Sequence, residues 1–268
     1  TLRPACAVEH RLDQPFVLLS VVYGHGNDGA VTACRPFAGS RFMVTSCVPS
    51  YQPSQETRET PMQIASHEAL AVSSDFEQLQ ALRPGDGAHW LELGCGAAFT
   101  TRRLAESFPG LRITAMEVDR TQHEKNLAID DLPNVTFRFG GAEHIGLPDA
   151  SVDVVIMLKS LHHVPLDLMD SALREIARVL RPGGFAYISE PVYAGPFNEI
   201  LRLFNDEKKV RQAAFDAVAA CVESGLLALD REVHFHAVTR FEGFAEFERR
   251  IIGATHSAFD VDDALLAR

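Results

Sequence analysis

From residue 88 to residue 189, short apolar runs alternate with stretches whose apolar residues recur every three or four positions. Apolar runs bounded by turn residues predict strands covered on both faces, at 88–93, 111–116, 135–139, 152–157 and 185–189. The stretches between them predict crossover helices at 99–108, 121–130 and 167–180. Thr121-Gln122-His123-Glu124 reads as a capping box opening the second of these. In the third, Met169, Leu173, Ile176 and Leu180 share one face, and Arg181-Pro182-Gly183-Gly184 stops it. This alternation specifies an α/β fold, a Rossmann-like and mostly parallel sheet with helices on both faces.

The flanks read differently. Strand-like runs at 16–23, 30–34 and 41–48 are separated by turn material, and a polar stretch at 49–61 carries three prolines. Residues 1–60 are therefore expected to form a β-rich N-terminal extension and linker, with the α/β domain over 61–268. Ser74-Asp75-Phe76-Glu77 fits a capping box, followed by apolar Leu79 and Leu82. After Pro196 a long helix is expected to residue 224, its buried stripe marked by Val210, Ala214, Ala217, Val218 and Cys221. An edge-like strand at 231–239 and helices at 242–251 and 261–267 complete the C-terminal segment.

The 268 residues are 46% hydrophobic and carry a formal charge of −11. The first number excludes a disordered chain, and the second disfavours a phosphate backbone as partner, so no nucleic acid is expected. The apolar run at 16–23 is too short to cross a bilayer and lacks a basic flank, so neither a membrane nor a secretory leader is expected. Five cysteines without a C-x-x-C pair suggest reduced thiols and a cytoplasmic location.

The chemistry concentrates where the first strand of the alternation ends. Leu91-Glu92-Leu93-Gly94-Cys95-Gly96 places an acidic residue and two glycines before a helix, a turn that lets a nucleotide-like ligand approach the backbone. The next strand ends in Glu117, where a carboxylate can grip a ribose.

These motifs, with Glu117-Val118-Asp119, Gly141-Ala142-Glu143, Ser151-Val152-Asp153, Ser160-Leu161-His162-His163 and Leu180-Arg181-Pro182-Gly183-Gly184 in that order, resemble the class I S-adenosylmethionine-dependent methyltransferases. The flavour is that of the small-molecule branch typified by quinone-biosynthesis enzymes. The resemblance covers about 88–195 and implies S-adenosylmethionine as cofactor and a small-molecule acceptor at oxygen, nitrogen or carbon. It implies that Glu92, Gly94, Cys95 and Gly96 meet the methionine moiety and that Glu117 and Val118 meet the ribose. Ala142 and Glu143 would flank the adenine, with Leu158 and Lys159 near the sulfonium. Ala98 stands where glycine is usual, and Gly141 where relatives often place an aspartate, which makes Glu143 the substitute for the adenine contact. The family's sheet ends in an antiparallel pair of strands; either the last strand is missing here or N-terminal strands replace it. Residues 1–60 are also a candidate homodimer contact.

An oxygen or nitrogen acceptor must lose a proton, and His162 and His163 stand just beyond the fourth strand of the alternation, where a base is needed. The plainer reading makes His163 a structural hydrogen-bonding residue. Glu190 and Tyr193 face the same crevice. His234 and His236 have a two-ligand spacing, but no third ligand follows, and no metal site is assigned. Phe197, Phe204, Phe215, Phe241, Phe244 and Phe247 could line an acceptor pocket or form core. A nicotinamide enzyme would need glycine where Phe99 stands; a non-catalytic S-adenosylmethionine sensor or scaffold is the second alternative.

Overall fold

The computed structural model describes residues 10–23, 62–65, 70–253 and 261. The expected strands at 30–34 and 41–48, the linker to residue 61 and all but one residue of the expected terminal helix lie outside them. Among the described residues seven strands form one sheet, in the order β4-β3-β2-β5-β6-β1-β7. Its parallel half is β2 (His89–Leu93), β3 (Arg112–Glu117), β4 (Val135–Phe139), β5 (Val152–Leu158) and β6 (Leu180–Pro191).

The other half answers the question of the last strand. β1 (His10–Val22) lies between β6 and β7 (Ala228–Phe241) and is antiparallel to both, so β7 runs in the direction of β6. A strand from the N-terminus thus fills the antiparallel place. The pattern puts residues 1–60 in an extension of their own, whereas β1 is built into the sheet. Val17, Leu19 and Val21 enter one core while Phe16 and Leu18 enter the other, as strict alternation demands.

One face is covered by α4 (Met169–Val179) and α6 (Lys208–Glu223), whose Leu173, Ile176, Ala214 and Val218 pack against Leu91, Val155, Leu19 and Ile188. The other face is covered by α1 (Asp75–Ala81) and α2 (Phe99–Ser107), which bring Leu79 and Leu104 onto Trp90, Ile113 and Ile156. Each such side chain, buried fully, contributes about 1.5–3 kcal/mol.

Three local expectations change. The helix α3 (Arg120–Leu127) starts at Asp119, not at Thr121, because the Asp119 carboxylate already accepts from the Thr121 and Gln122 amides. The single long helix after Pro196 is two, α5 (Pro196–Leu201) and α6, since Asp206 accepts from the Lys208 amide and restarts the helix. Near the C-terminus α7 (Phe244–Phe247) passes into a π-helical turn, Glu248–Ile252. The capping box at Ser74 forms as expected, with Ser74 Oγ accepting from Glu77 N at 3.3 Å. Among the described residues no helix is long and apolar enough to cross a membrane.

Candidate active site

The glycine turn after β2 packs against the turn after β5. A Cβ on Gly94 would lie 2.7 Å from Ser160 Cβ, so glycine there serves the protein's own packing. At Gly96 nothing lies within 4 Å of a would-be Cβ, and the open space is left for a ligand. Gly96 is held by its neighbours: its amide donates to Glu117 Oε2 at 2.7 Å, and its carbonyl accepts from Asn126 Nδ2 at 2.8 Å. Glu117 Oε1 accepts from the Val118 and Asp119 amides, both at 2.9 Å. The carboxylate expected to take both ribose hydroxyls therefore also ties the two loops together. A carboxylate has about four lone-pair sites, so one is left for a ribose hydroxyl in this conformation. Asn126 was invisible to the sequence pattern, being one polar residue on a polar helix.

Ala98 sits in the left-handed region at φ 59°, ψ 27°, just before α2. An L-residue there is strained by roughly 1 kcal/mol. Ala98→Gly is expected to raise the melting temperature by about 2 °C, read by calorimetric scanning. An unchanged or lowered value would show that the loop is not strained at this position.

Glu92 is buried at the end of β2 and accepts from Thr101 Oγ1 at 2.6 Å. Burial pushes its carboxyl from 4.5 up to about 7, against the pull of the Thr101 bond and Lys159. At about 1.4 kcal/mol for each pH unit, the ionised form costs the fold on the order of 3 kcal/mol. The sign follows from the raised value: the cost is absent below pH 4.5, grows between 4.5 and 7, and is complete above 7. Glu92→Gln is thus expected to stabilise the ligand-free protein at pH 8 while weakening its hold on a cationic ligand. Denaturant melts at pH 5 and pH 8 test it, and an equal effect at both would contradict it.

Around this turn Phe99 and Val118 are exposed apolar residues and Leu158 is half-buried. Lys159, at φ 56°, reaches Asp75 at 3.6 Å and lies over the Phe16 ring, while Tyr187 donates to Asp75. Ala142 is buried. The Glu143 carboxylate stands where a side chain on residue 141 would go, 2.3 Å from a would-be Gly141 Cβ, which fits Glu143 as the replacement for an acid at 141. Burial drives the Cys95 thiol far above its ordinary value, so it is no thiolate nucleophile. A buried carboxylate for an ammonium, open backbone at Gly96, an acid on the second strand and exposed apolar flanks together fit S-adenosylmethionine.

A second cluster lies beyond β5. A 3-10 turn, Leu161–His163, buries His162 and leaves His163 exposed against it, with ring centroids 4.1 Å apart. Glu190, buried at the end of β6, accepts from Leu161 N at 2.9 Å through one oxygen and from His162 Nδ1 through the other. That assignment places the proton on Nδ1 and leaves a lone pair on Nε2. Nε2 faces Glu207 Oε2 at 3.9 Å. Glu207, at the start of α6, takes two bonds from Arg211, at 3.0 and 2.6 Å, and one from Asn205. Burial alone would raise the Glu207 carboxyl, but His162 when its ring is protonated, and then Arg211, pull it below its ordinary value. Glu207 and Arg211 gave no sequence signal, because helix α6 meets the β5 turn only through tertiary packing.

The remaining candidates fall elsewhere. Tyr193 bonds Asp206. Phe197, Phe241, Phe244 and Phe247 pack on one another, and Phe215 is core. His234 Nε2 meets Glu232 at 2.8 Å, and His236 lines a cavity of about 260 Å³ with Pro15 and Val192. Glu190, Val17 and His234 are register partners across β6, β1 and β7, so the cavity opens on the Glu190 face.

Residues 91–188 match the family model described as a methyltransferase domain. Over 108 residues the chain is 40% identical to 27-O-demethylrifamycin SV methyltransferase of Amycolatopsis mediterranei, covering 38% of each chain. It is 33% identical over 123 residues to an O-methyltransferase of Pyrenophora dematioidea, covering 44% of each. The match thus spans less than half the length of these curated relatives. Among solved structures, the YcgJ protein from Bacillus subtilis is 24% identical with a TM-score of 0.36, over 41% of this chain and 47% of that one.

Proposed function

We propose, from the premise that residues 91–188 are a class I S-adenosylmethionine-dependent methyltransferase domain, that the chain methylates a hydroxyl oxygen of a small, largely apolar molecule. The observation that carries this reading is the buried His162–Glu190 pair beyond β5, which leaves Nε2, 3.9 Å from Glu207 Oε2, as the ring atom to take a proton. Bound S-adenosylmethionine would supply an electrophilic methyl group on sulfur. Glu92 would meet its ammonium, Glu117 a ribose hydroxyl and Glu143 the adenine edge. Methyl transfer to a hydroxyl oxygen would release its proton, and His162 Nε2 would accept it. Glu190 holds the ring in the required tautomer and stabilises the imidazolium. The rest is alignment and exclusion of water. The apolar cavity on the Glu190 face supports an apolar acceptor, and the O-methyltransferase names of matched relatives support oxygen. The formal charge of −11 supports the same reading over a nucleic-acid substrate. A cytoplasmic location and a homodimer contact through residues 1–60 belong to the same reading.

The test is transfer of labelled methyl from S-adenosylmethionine across a panel of phenols and other hydroxylated apolar molecules. Transfer to at least one is expected. Cofactor binding with no transfer across a broad panel would favour a non-catalytic sensor.

A further inference from the structure

The gap between His162 Nε2 and Glu207 sets two acceptors against each other. With Nδ1–H donated to Glu190, Nε2 presents a lone pair toward a carboxylate oxygen 3.9 Å away. That arrangement is favourable only with a proton on Nε2, or with a cation or a donor between the two atoms. Formal charge points the same way: Glu190 and Glu207 are two carboxylates against the single guanidinium of Arg211. His163 brings a second imidazole, and ligand atoms of His162, His163 and Glu207 all lie within 4.8 Å of one another.

We propose that His162 Nε2, His163 and Glu207 form a binding site for a divalent transition-metal ion, with zinc the natural probe. Two imidazoles and one carboxylate are a borderline-soft donor set that suits zinc better than magnesium or calcium. Two bonds of about 2.1 Å span roughly 3.4 Å at a tetrahedral angle and about 4.2 Å in line, and the observed 3.9 Å falls between. Arg211 donates twice to Glu207 Oε2 and Asn205 once to Oε1, which orients the carboxylate and leaves the open lone-pair site on Oε1, so an ion meets Glu207 there or displaces one Arg211 bond at Oε2. Glu190 on the far nitrogen of His162 is the carboxylate that such a histidine ligand carries behind it. Occupancy takes the lone pair that methyl transfer needs, so zinc binding and proton acceptance by His162 exclude each other. The metal site itself stands independently of the methyltransferase reading; only this exclusion rests on it.

The experiment is calorimetric titration of the EDTA-treated 268-residue chain with zinc chloride, with S-adenosylmethionine titrated in parallel. One zinc per chain is expected. Affinity should fall at least 100-fold in His163→Ala, whose exposed side chain can be removed without opening the core, and in Glu207→Gln. In Glu190→Gln it should fall about 10–100-fold. S-adenosylmethionine affinity should be unaltered in His163→Ala, which separates loss of the metal site from loss of the fold. Absence of zinc binding, or binding that survives His163→Ala, would overturn the proposal; the second result would place the ion on other residues, such as His234 and His236. Failure of S-adenosylmethionine to bind while zinc binds would remove the cofactor reading and leave the metal site standing.

Discussion

Replacing Glu117 with alanine is expected to raise the dissociation constant for S-adenosylmethionine at least about 100-fold. The carboxylate is buried and accepts three backbone amides, from Gly96, Val118 and Asp119. Hydrogen bonds to a charged group contribute about 1.5–3 kcal/mol each, and the variant leaves these amides without their partner. Two losses therefore coincide: the contact to the ribose and the tie that positions Gly96 beside it. Glu117→Gln separates them, since an amide retains one acceptor oxygen for the loop amides but offers no charge to the ribose. Its affinity should lie between those of the wild type and the alanine variant. Isothermal calorimetry at fixed pH reads both, and unchanged affinity in Glu117→Ala would remove this residue from the cofactor site.

Replacing His162 with glutamine is expected to lower the turnover number by about 10²–10⁴-fold while S-adenosylmethionine affinity stays within a factor of two or three. The imidazole lies beyond β5, away from the Glu92, Gly96 and Glu117 contacts, so its loss acts on the acceptor's proton. Glutamine can still donate to Glu190, which spares that buried carboxylate the cost of standing unpaired. Glu190→Gln should slow turnover too, because the amide can hold the wrong ring tautomer and cannot stabilise the imidazolium. Wild-type turnover in both variants would assign the pair a structural role only, as a clamp on the 161–163 turn.

What the pattern predicts well is what local physics decides. The five parallel strands and their crossover helices follow from apolar runs and 3.6-residue periodicity. The strand bounds for β2 to β5 come within one residue of those observed. The glycine turn, Glu92 and Glu117 likewise stand where strand ends must place them. What escapes is whatever depends on distant pairing. β1 finds its partners about 170 and 220 positions along the chain, and nothing within residues 10–22 announces that it will separate β6 from β7. Helix α6 brings Glu207 and Arg211 onto His162 only because Ala214 and Val218 seat it on the sheet. The break before α6 is hidden because Leu203 and Phe204 continue the apolar spacing through it. Thr121-x-x-Glu124 presents a fuller capping motif two residues after Asp119, yet the earlier carboxylate reaches the amides first.

The Gly94–Gly96 turn and Glu117 together are built to hold S-adenosylmethionine. Isothermal calorimetry of the 268-residue chain with S-adenosylmethionine, S-adenosylhomocysteine and NAD tests this most directly. The account predicts binding of the first two, no heat with NAD, and S-adenosylmethionine affinity that weakens as the pH falls below 7 and Glu92 takes up its proton. Binding of NAD, or no binding of either sulfur compound at pH 8, would contradict it.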